Sequence, residues 1–405
     1  MINTSTPEAQ GMSSERFKRL DAYLQRSIDS GRMNGCVALV VRNGGIVYEK
    51  AFGYDDMEKK TPMKKDAIFR IASQTKAITS VAIMMLYEEG KFLLDEPISK
   101  YAPEWKNPKV IEKFNLADTT YTTVPAKREI TFRDLLTHTS GLGYAQIGSA
   151  EAKALYGKAG VVGGIGVERV YLKDQAQKLA RLPLWHQPGE KWTYGMNTDV
   201  LGYFVELFSG MSLADFFRTR IFEPLGMKDT WFYLPKDKHG RLVNLYSEKD
   251  GKLVKMDEQI NIDGKKFFRD YPNLDGTMYS GGGGLSSTVQ DYAIFLQMLL
   301  NNGVYNGKRI LARNTVRMMT MNQVGDITLG DGTKFGLGFG IATEKTSAVY
   351  PAREGTFNWG GMFATSYWVD PKEKMVCLIY RNIWPTSFGE LEPKFKVLTY
   401  QALND

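Results

Sequence analysis

Phe69-Arg70-Ile71-Ala72-Ser73-Gln74-Thr75-Lys76-Ala77-Ile78-Thr79-Ser80-Val81-Ala82-Ile83-Met84-Met85-Leu86 opens on a short polar run and then turns apolar. Ile78, Val81, Ala82, Met85 and Leu86 recur at helical spacing and Gly90 supplies a stop, so the spacing predicts an amphipathic helix. Ser73 and Lys76 fall at its first turn, three residues apart and therefore on one face. A helix N-terminus carries positive partial charge, which favours an alkoxide and disfavours an ammonium. A lysine held there, especially a buried one, is expected to give up its proton more easily than in water. A neutral lysine beside a serine activates that serine without a histidine. Ser-x-x-Lys is short enough that on the order of one copy arises by chance in a chain this long. It occurs once here, at a predicted helix start. Two readings stand at this point: a capping serine with a solvated lysine, or a nucleophile with its activating amine.

The 405 residues are enough for a large core and two lobes, and 43% hydrophobic with 24% charged residues is ordinary globular composition. The longest apolar runs fall far short of a membrane span. No secretory apolar region is visible at Met1-Ile2-Asn3-Thr4-Ser5. A soluble protein is expected, cytoplasmic or exported with its leader absent from this chain. The net charge of +7 is spread among interleaved acids, which speaks against a nucleic-acid partner. Cys36 and Cys377 sit in apolar, strand-like runs and read as buried thiols rather than a metal pair, with a single disulfide left open. His138, His186 and His239 are far apart and no Cys-x-x-Cys is present, so no zinc site is expected.

Ser13 or Ser14 opens a first helix with Phe17, Leu20, Leu24 and Ile28 on one face, ending near Gly31. Residues 36–41 and 46–50 flank Asn43-Gly44-Gly45, a hairpin signal. Residues 130–142 read as a short helix breaking at Gly141, with Thr131 and Asp134 as a capping box. His138 beside that turn reads as a hydrogen-bonded structural residue. Gly141 to Val167 is rich in glycine and small residues and is expected to form a lid or binding loop. A Pro188-Gly189 turn leads to Tyr194 and into a helix through Val200, Leu201, Phe204 and Leu207. On that turn Tyr194 can project into a cleft, but taken alone it reads first as a packing aromatic. Ser280-Gly281-Gly282-Gly283-Gly284-Leu285-Ser286-Ser287-Thr288 leads into another helix, its glycines for close packing and its serines as caps, with no chemistry assigned. Strands are expected at 337–341, 361–369 and 375–380, with a turn at Asp370-Pro371-Lys372-Glu373. Ser387 with Glu390 forms a capping box for a last helix with Leu391, Phe395, Leu398 and Ala402 on one face. The two ends are expected to build one antiparallel sheet flanked by N- and C-terminal helices, an α+β arrangement with an inserted, mostly helical lobe. The lobes are placed at 1–65 with 305–405, and at 66–304, within a single catalytic unit of 1–405.

No Gly-x-Ser-x-Gly is present, so the nucleophile-elbow hydrolases lose their best marker. Ser73-Gln74-Thr75-Lys76, Leu135-Leu136-Thr137-His138-Thr139-Ser140-Gly141-Leu142, Pro188-Gly189-Glu190 before Tyr194, and Asn358-Trp359-Gly360-Gly361 together resemble the serine β-lactamase-like superfamily, in order and over essentially the whole chain. Within it the chain is most similar to the family VIII carboxylesterases and the nylon-oligomer hydrolases. Where the lactamase pattern has Tyr-x-Asn, Met196 follows here and Asn197 comes one residue later. Where it has Lys-Thr-Gly, Trp359-Gly360-Gly361 stands instead. The cation that would meet a β-lactam carboxylate is missing.

The resemblance implies a β-lactamase/transpeptidase-like fold and a short-chain ester hydrolase. Ser73 would form the acyl-enzyme, with Lys76 and Tyr194 sharing the general-base work and the lysine's charge easing ionisation of the phenol. The backbone N–H groups of Ser73 and Met362 would form the oxyanion hole. Gly360 and Gly361 would let the strand approach the substrate, and Trp359, Tyr144 and Trp185 would wall the pocket. Three alternatives remain: an amidase or peptidase acting on D-amino-acid peptides, linear amide oligomers or weakly on β-lactams; an acyltransferase; and a silent binding scaffold. No metal or organic cofactor is implied. The expected partner is a small ester or amide, and the expected state a monomer or homodimer without a membrane span.

Overall fold

The hairpin forms where the sequence places it. In the computed structural model, which describes residues 2–145, 147–166, 169–262 and 265–405, strand β2 (Gly35–Arg42) pairs antiparallel with β3 (Gly45–Asp56). Asn43 and Gly44 both take positive φ, 49° and 79°, the backbone of a tight two-residue hairpin turn. The same sheet draws in the far end of the chain. Its order is β1 (Asn3–Thr4), β3, β2, β10 (Met375–Tyr380), β9 (Thr365–Asp370), β8 (Phe357–Gly361), β7 (Gly340–Ile341) and β6 (Lys334–Phe335), with Thr61–Pro62 added beside β3. All these pairings are antiparallel except that of β1 with β3.

Both faces of the sheet centre are covered, so β2 and β10 are buried along their whole length. Alternation divides them between two cores. Cys36, Ala38, Val40, Met375, Cys377 and Ile379 face an outer core under α1 (Ser14–Asp29) and the C-terminal helix Leu391–Tyr400. Val37, Leu39, Val41, Val376, Leu378 and Tyr380 face an inner core shared with α2 (Thr75–Glu88) and the helix Val289–Leu300. The thiols of Cys36 and Cys377 are buried and free. No single helix among the described residues is long and apolar enough to cross a membrane.

Helix α1 starts after Ser13, whose hydroxyl accepts from the Arg16 N–H. Six elements depart from the sequence reading. Helix α2 is not amphipathic: every residue from Thr75 to Leu86 is buried. The strand expected over 361–369 is broken at 362–364, where Ala364 takes a φ of 63° and the chain turns from β8 into β9. The strand expected at 337–341 is reduced to β7. Ser286 and Ser287 do not cap a helix but form a strand, β5, against β4 (Phe69–Arg70), and Thr288 provides the cap. The last capping box does not form, because Ser387 gives its N–H and hydroxyl to the Glu248 carboxylate, 2.6 and 2.7 Å away. The expected loop from Gly141 contains a helix, Ala150–Lys158, and its far end at Val167 lies outside the described residues.

Candidate active site

The nucleophile candidate sits where β4 ends. Ile71 donates its N–H to the Leu285 carbonyl at 3.1 Å, and Ala72 then takes a φ of 43°, a conformation an alanine rarely adopts. This bend leads into a short 3-10 turn, Ala72–Gln74, from which α2 grows. β4 is anchored by the fully buried Arg70, which donates to the Val243 and Arg269 carbonyls at 2.7 and 2.8 Å and to Asp270 at 2.8 Å. The chain therefore enters Ser73 from a fixed strand.

Gly361, at the end of β8, explains the closeness of the other wall. A Cβ there would lie 2.3 Å from the Ile71 carbonyl oxygen. The glycine allows backbone-to-backbone contact with the nucleophile turn. A Cβ on Gly360 would come no nearer than 3.2 Å to another atom. The contact brings the turn that begins at Met362 beside Ser73. Ile383 donates to the Phe363 carbonyl at 3.2 Å and Arg381 to the Ala364 carbonyl at 3.3 Å, holding that turn from behind.

Lys76 is 2% exposed, and its ammonium has three acceptors: the Ser73 hydroxyl at 3.3 Å, the Tyr144 hydroxyl at 3.1 Å and the Gly282 carbonyl at 2.6 Å. Three donors against three acceptors suits the charged form. Burial on its own favours loss of the proton. The phenols of Tyr144 and Tyr194 and the Asp199 carboxylate outweigh it, and the pKa is raised above the ordinary lysine value. The expectation of an easily deprotonated lysine is thus overturned: the amine is held as an ammonium by neighbours far away in sequence.

Tyr194 approaches Lys76 with its ring face, 4.7 Å from the centroid, and is half-buried; Tyr144 is 5% exposed. Burial raises the Tyr144 phenol and the Lys76 charge only partly offsets it. Tyr194 stands in an aromatic group with Trp359 at 5.6 Å, Trp192 at 5.9 Å and His138 at 5.0 Å. His138 ends α3 (Phe132–Thr137) in a left-handed conformation, φ 58°. Its carbonyl accepts from the Thr193 N–H and its Nδ1 is 2.9 Å from the Asn197 amide. Burial, followed by the Lys76 charge, pushes its pKa well down, so the imidazole is neutral. It braces the Tyr194 turn, as the structural reading expects. His186 bonds the Thr193 hydroxyl and the Gln187 carbonyl, both at 2.9 Å. Trp185 stands apart: its ring packs on Phe114 at 5.6 Å, and none of its ring contacts joins it to Tyr194 or Trp359.

Two groups beside Lys76 had no role in the sequence reading. The Gly282 carbonyl comes from the glycine run credited only with packing, and Asp199 lies in the first turn of the helix Asn197–Ser209. Among the described residues no group of three or more His, Cys, Asp or Glu is placed to hold a metal.

The Beta-lactamase family matches residues 20–401. The chain is 33% identical over 411 residues to Protein Rv1367c of Mycobacterium tuberculosis, covering 94% of this chain and 98% of the relative. It is 31% identical over 373 residues to esterase EstB of Burkholderia gladioli, covering 90% of each. Among solved structures it is similar to EstCE1, described as a hydrolase with promiscuous acyltransferase activity, at TM-score 0.80 and 27% identity over 95% of this chain and 98% of that one.

Proposed function

The chain belongs to the Beta-lactamase family and is a serine ester hydrolase, and from that premise we propose that it cleaves short-chain carboxylic esters through an acyl-enzyme on Ser73. The observation that carries this is the Lys76 ammonium bonded to the Ser73 hydroxyl beside a group of aromatic side chains. Ser73 Oγ attacks the ester carbonyl carbon while its proton passes to the deprotonated oxygen of Tyr194, the general base. The N–H groups of Ser73 and Met362 receive the developing oxyanion. Collapse expels the alkoxide, which takes the proton from Tyr194, and water then repeats the sequence to free the acid and regenerate Ser73.

Short acyl groups are favoured because the turn around Ser73 is tightly walled: Ala72, Ile165, Phe267 and Phe363 pack as one apolar cluster with Met362 at its edge. Esters are favoured over β-lactams because Trp359 stands where a cation would be needed. The relatives named for esterase activity support the same reading, and EstCE1 supports capture of the acyl group by an alcohol as a side reaction. A second reading exchanges the phenols, since the hydrogen bond to Lys76 is made by Tyr144. Burial raises the Tyr144 phenol and so keeps it protonated, which leaves it unable to accept the Ser73 proton.

The test is hydrolysis of p-nitrophenyl butyrate, ethyl butyrate and nitrocefin by wild type, Ser73→Ala, Tyr194→Phe and Tyr144→Phe. Wild type is expected to turn over both esters and Ser73→Ala neither. Tyr194→Phe is expected to lose more on ethyl butyrate, whose alkoxide needs a proton, than on the nitrophenyl ester. Equal turnover by wild type and Ser73→Ala would overturn the assignment of the nucleophile. A larger loss in Tyr144→Phe than in Tyr194→Phe would transfer the base to Tyr144. Rapid nitrocefin turnover with inert esters would move the substrate class to lactams.

A further inference from the structure

One buried ionisable group near the site takes no part in the reaction just described. Asp199 is 1% exposed, as buried as Lys76 at 2%. Its Oδ1 accepts from the Ser280 hydroxyl at 2.5 Å and from the Gly282 N–H at 3.2 Å. Its Oδ2 has no hydrogen-bond partner among the described residues. A carboxylate oxygen left bare in the interior is costly unless a nearby charge compensates it. The same Gly282 that donates to Asp199 offers its carbonyl to the Lys76 ammonium, so one glycine lies between the two charges. A Cβ on Gly282 would meet Oδ2 at 2.4 Å, so no side chain fits there to separate them further.

The other groups facing Lys76 are Ser73, Tyr144 from the segment after α3, Tyr194 from the turn before Asn197–Ser209, and His138 from the end of α3. None of these carries a carboxylate. We propose that Asp199 is the countercharge of Lys76, a positioning residue that acts through Gly282 and keeps the lysine charged and pointed at Ser73 without touching substrate. The arrangement differs from a direct ion pair in leaving all three ammonium donors free for Ser73, Tyr144 and Gly282. A direct carboxylate contact would compete with the nucleophile for one of them.

The rate consequence rests on the role proposed for Lys76; the charge coupling does not. Removing a negative charge near an ammonium lowers its pKa, so Asp199→Asn moves the alkaline limb of kcat/KM toward lower pH, by about one unit or more. KM stays within about twofold, since Asp199 is not a substrate contact, while kcat falls by about tenfold or more. The second arm is a thermal-melting cycle of wild type, Lys76→Met, Asp199→Asn and the double variant. Each single variant leaves one buried charge uncompensated and is expected to melt lower. The double variant removes both charges and is expected to melt above the sum of the two losses. An unmoved alkaline limb, or additive melting losses, would overturn the proposal. If Asp199→Asn does not fold alone, a folded double variant supports it and an unfolded one overturns it. Should Ser73→Ala retain full esterase activity, the melting cycle still decides the charge coupling.

Discussion

Helices α1 and α2 each carry a lysine near the N-terminal end, and the two lysines have opposite fates. Lys18 on α1 is exposed and pairs at 2.5 Å with Glu15, one turn back. Lys76 on α2 is buried and, besides Ser73, finds its partners 68 and 206 positions further along the chain. The contrast extends to whole helices. α1 buries Phe17, Leu20 and Leu24 against the outer core and leaves its other side to water. α2 is enclosed all round, so each of its polar side chains must be satisfied by other segments, as Thr79 is by the Gly281 carbonyl at 2.7 Å. A helix on the surface can be stabilised by its own neighbours; a helix in the centre takes its chemistry from the rest of the fold.

The largest test of that contrast replaces each lysine. Lys76→Met is expected to lower kcat/KM for p-nitrophenyl butyrate by roughly 10²–10⁴-fold. Lys18→Ala is expected to leave both the rate and the melting temperature where they are, since an exposed pair on a helix face contributes little. A comparable rate loss in Lys18→Ala would break the distinction.

Glycines sharpen it next. Gly281 packs where a Cβ would sit 2.6 Å from the Thr198 carbonyl and 3.1 Å from the Thr79 methyl. Gly281→Ala is expected to push α2 from its seat, destabilising by about 1–3 kcal/mol in urea unfolding and lowering ester turnover with it. Gly31, just past α1, has φ 71° and open space around it. Gly31→Ala carries only the left-handed backbone penalty, about 1 kcal/mol, with turnover unchanged. Equal effects of the two on activity would mean that the glycine run does not seat the catalytic helix.

These two regions also mark what could be read from the sequence. The hairpin, α1 with its Ser13 cap, the Thr131–Asp134 capping box and the Ser73–Lys76 pair are all visible because their signals lie within a few residues. The buried sides of α2 are not, because Thr79 and Ser80 look like a solvent face until Gly281 and Gly338 are placed against them. Asp199 and Gly282 carry no periodic signal, and their meaning appears only when the fold sets them beside Lys76. The break of the expected strand at 362–364 is of the same kind, since those residues are apolar enough for a strand and the turn is set by the contact of Gly361 with Ile71.

The inner region should also be the acid-labile one. His138 is neutral when folded, its pKa pushed below the usual 6.5 first by burial and then by the Lys76 charge. The unfolded chain therefore binds a proton at pH values where the folded protein does not. The contribution is complete well above pH 6.5 and is lost as the pH drops through and below that value, on the order of 1 kcal/mol one unit below it. His186, also lowered by burial, contributes in the same direction. In His138→Gln the decline in unfolding free energy between pH 7.5 and 5.5 is expected to be smaller than in wild type, by on the order of 1 kcal/mol. An identical decline in both would show that His138 takes up its proton without unfolding.

The smallest effect is asked of the helix starts. Ser13 caps α1 by accepting from the Arg16 N–H at 3.2 Å, a bond that no other segment replaces. Ser13→Ala should cost about 1 kcal/mol of stability with ester turnover unchanged, because the outer core lies across the sheet from Ser73. α2 has no side-chain cap to lose: it grows from the nucleophile's own 3-10 turn, and Gln74 at its start instead accepts from the Tyr380 hydroxyl at 2.5 Å and through its carbonyl from Tyr292 at 2.7 Å. Gln74→Ala removes the first of those bonds without uncapping a helix, so its effect should appear in kcat, through the position of Ser73, at least as much as in the melting temperature. If instead Ser13→Ala altered kcat and Gln74→Ala altered only stability, the division between a self-supporting outer helix and a fold-supported inner one would have to be abandoned.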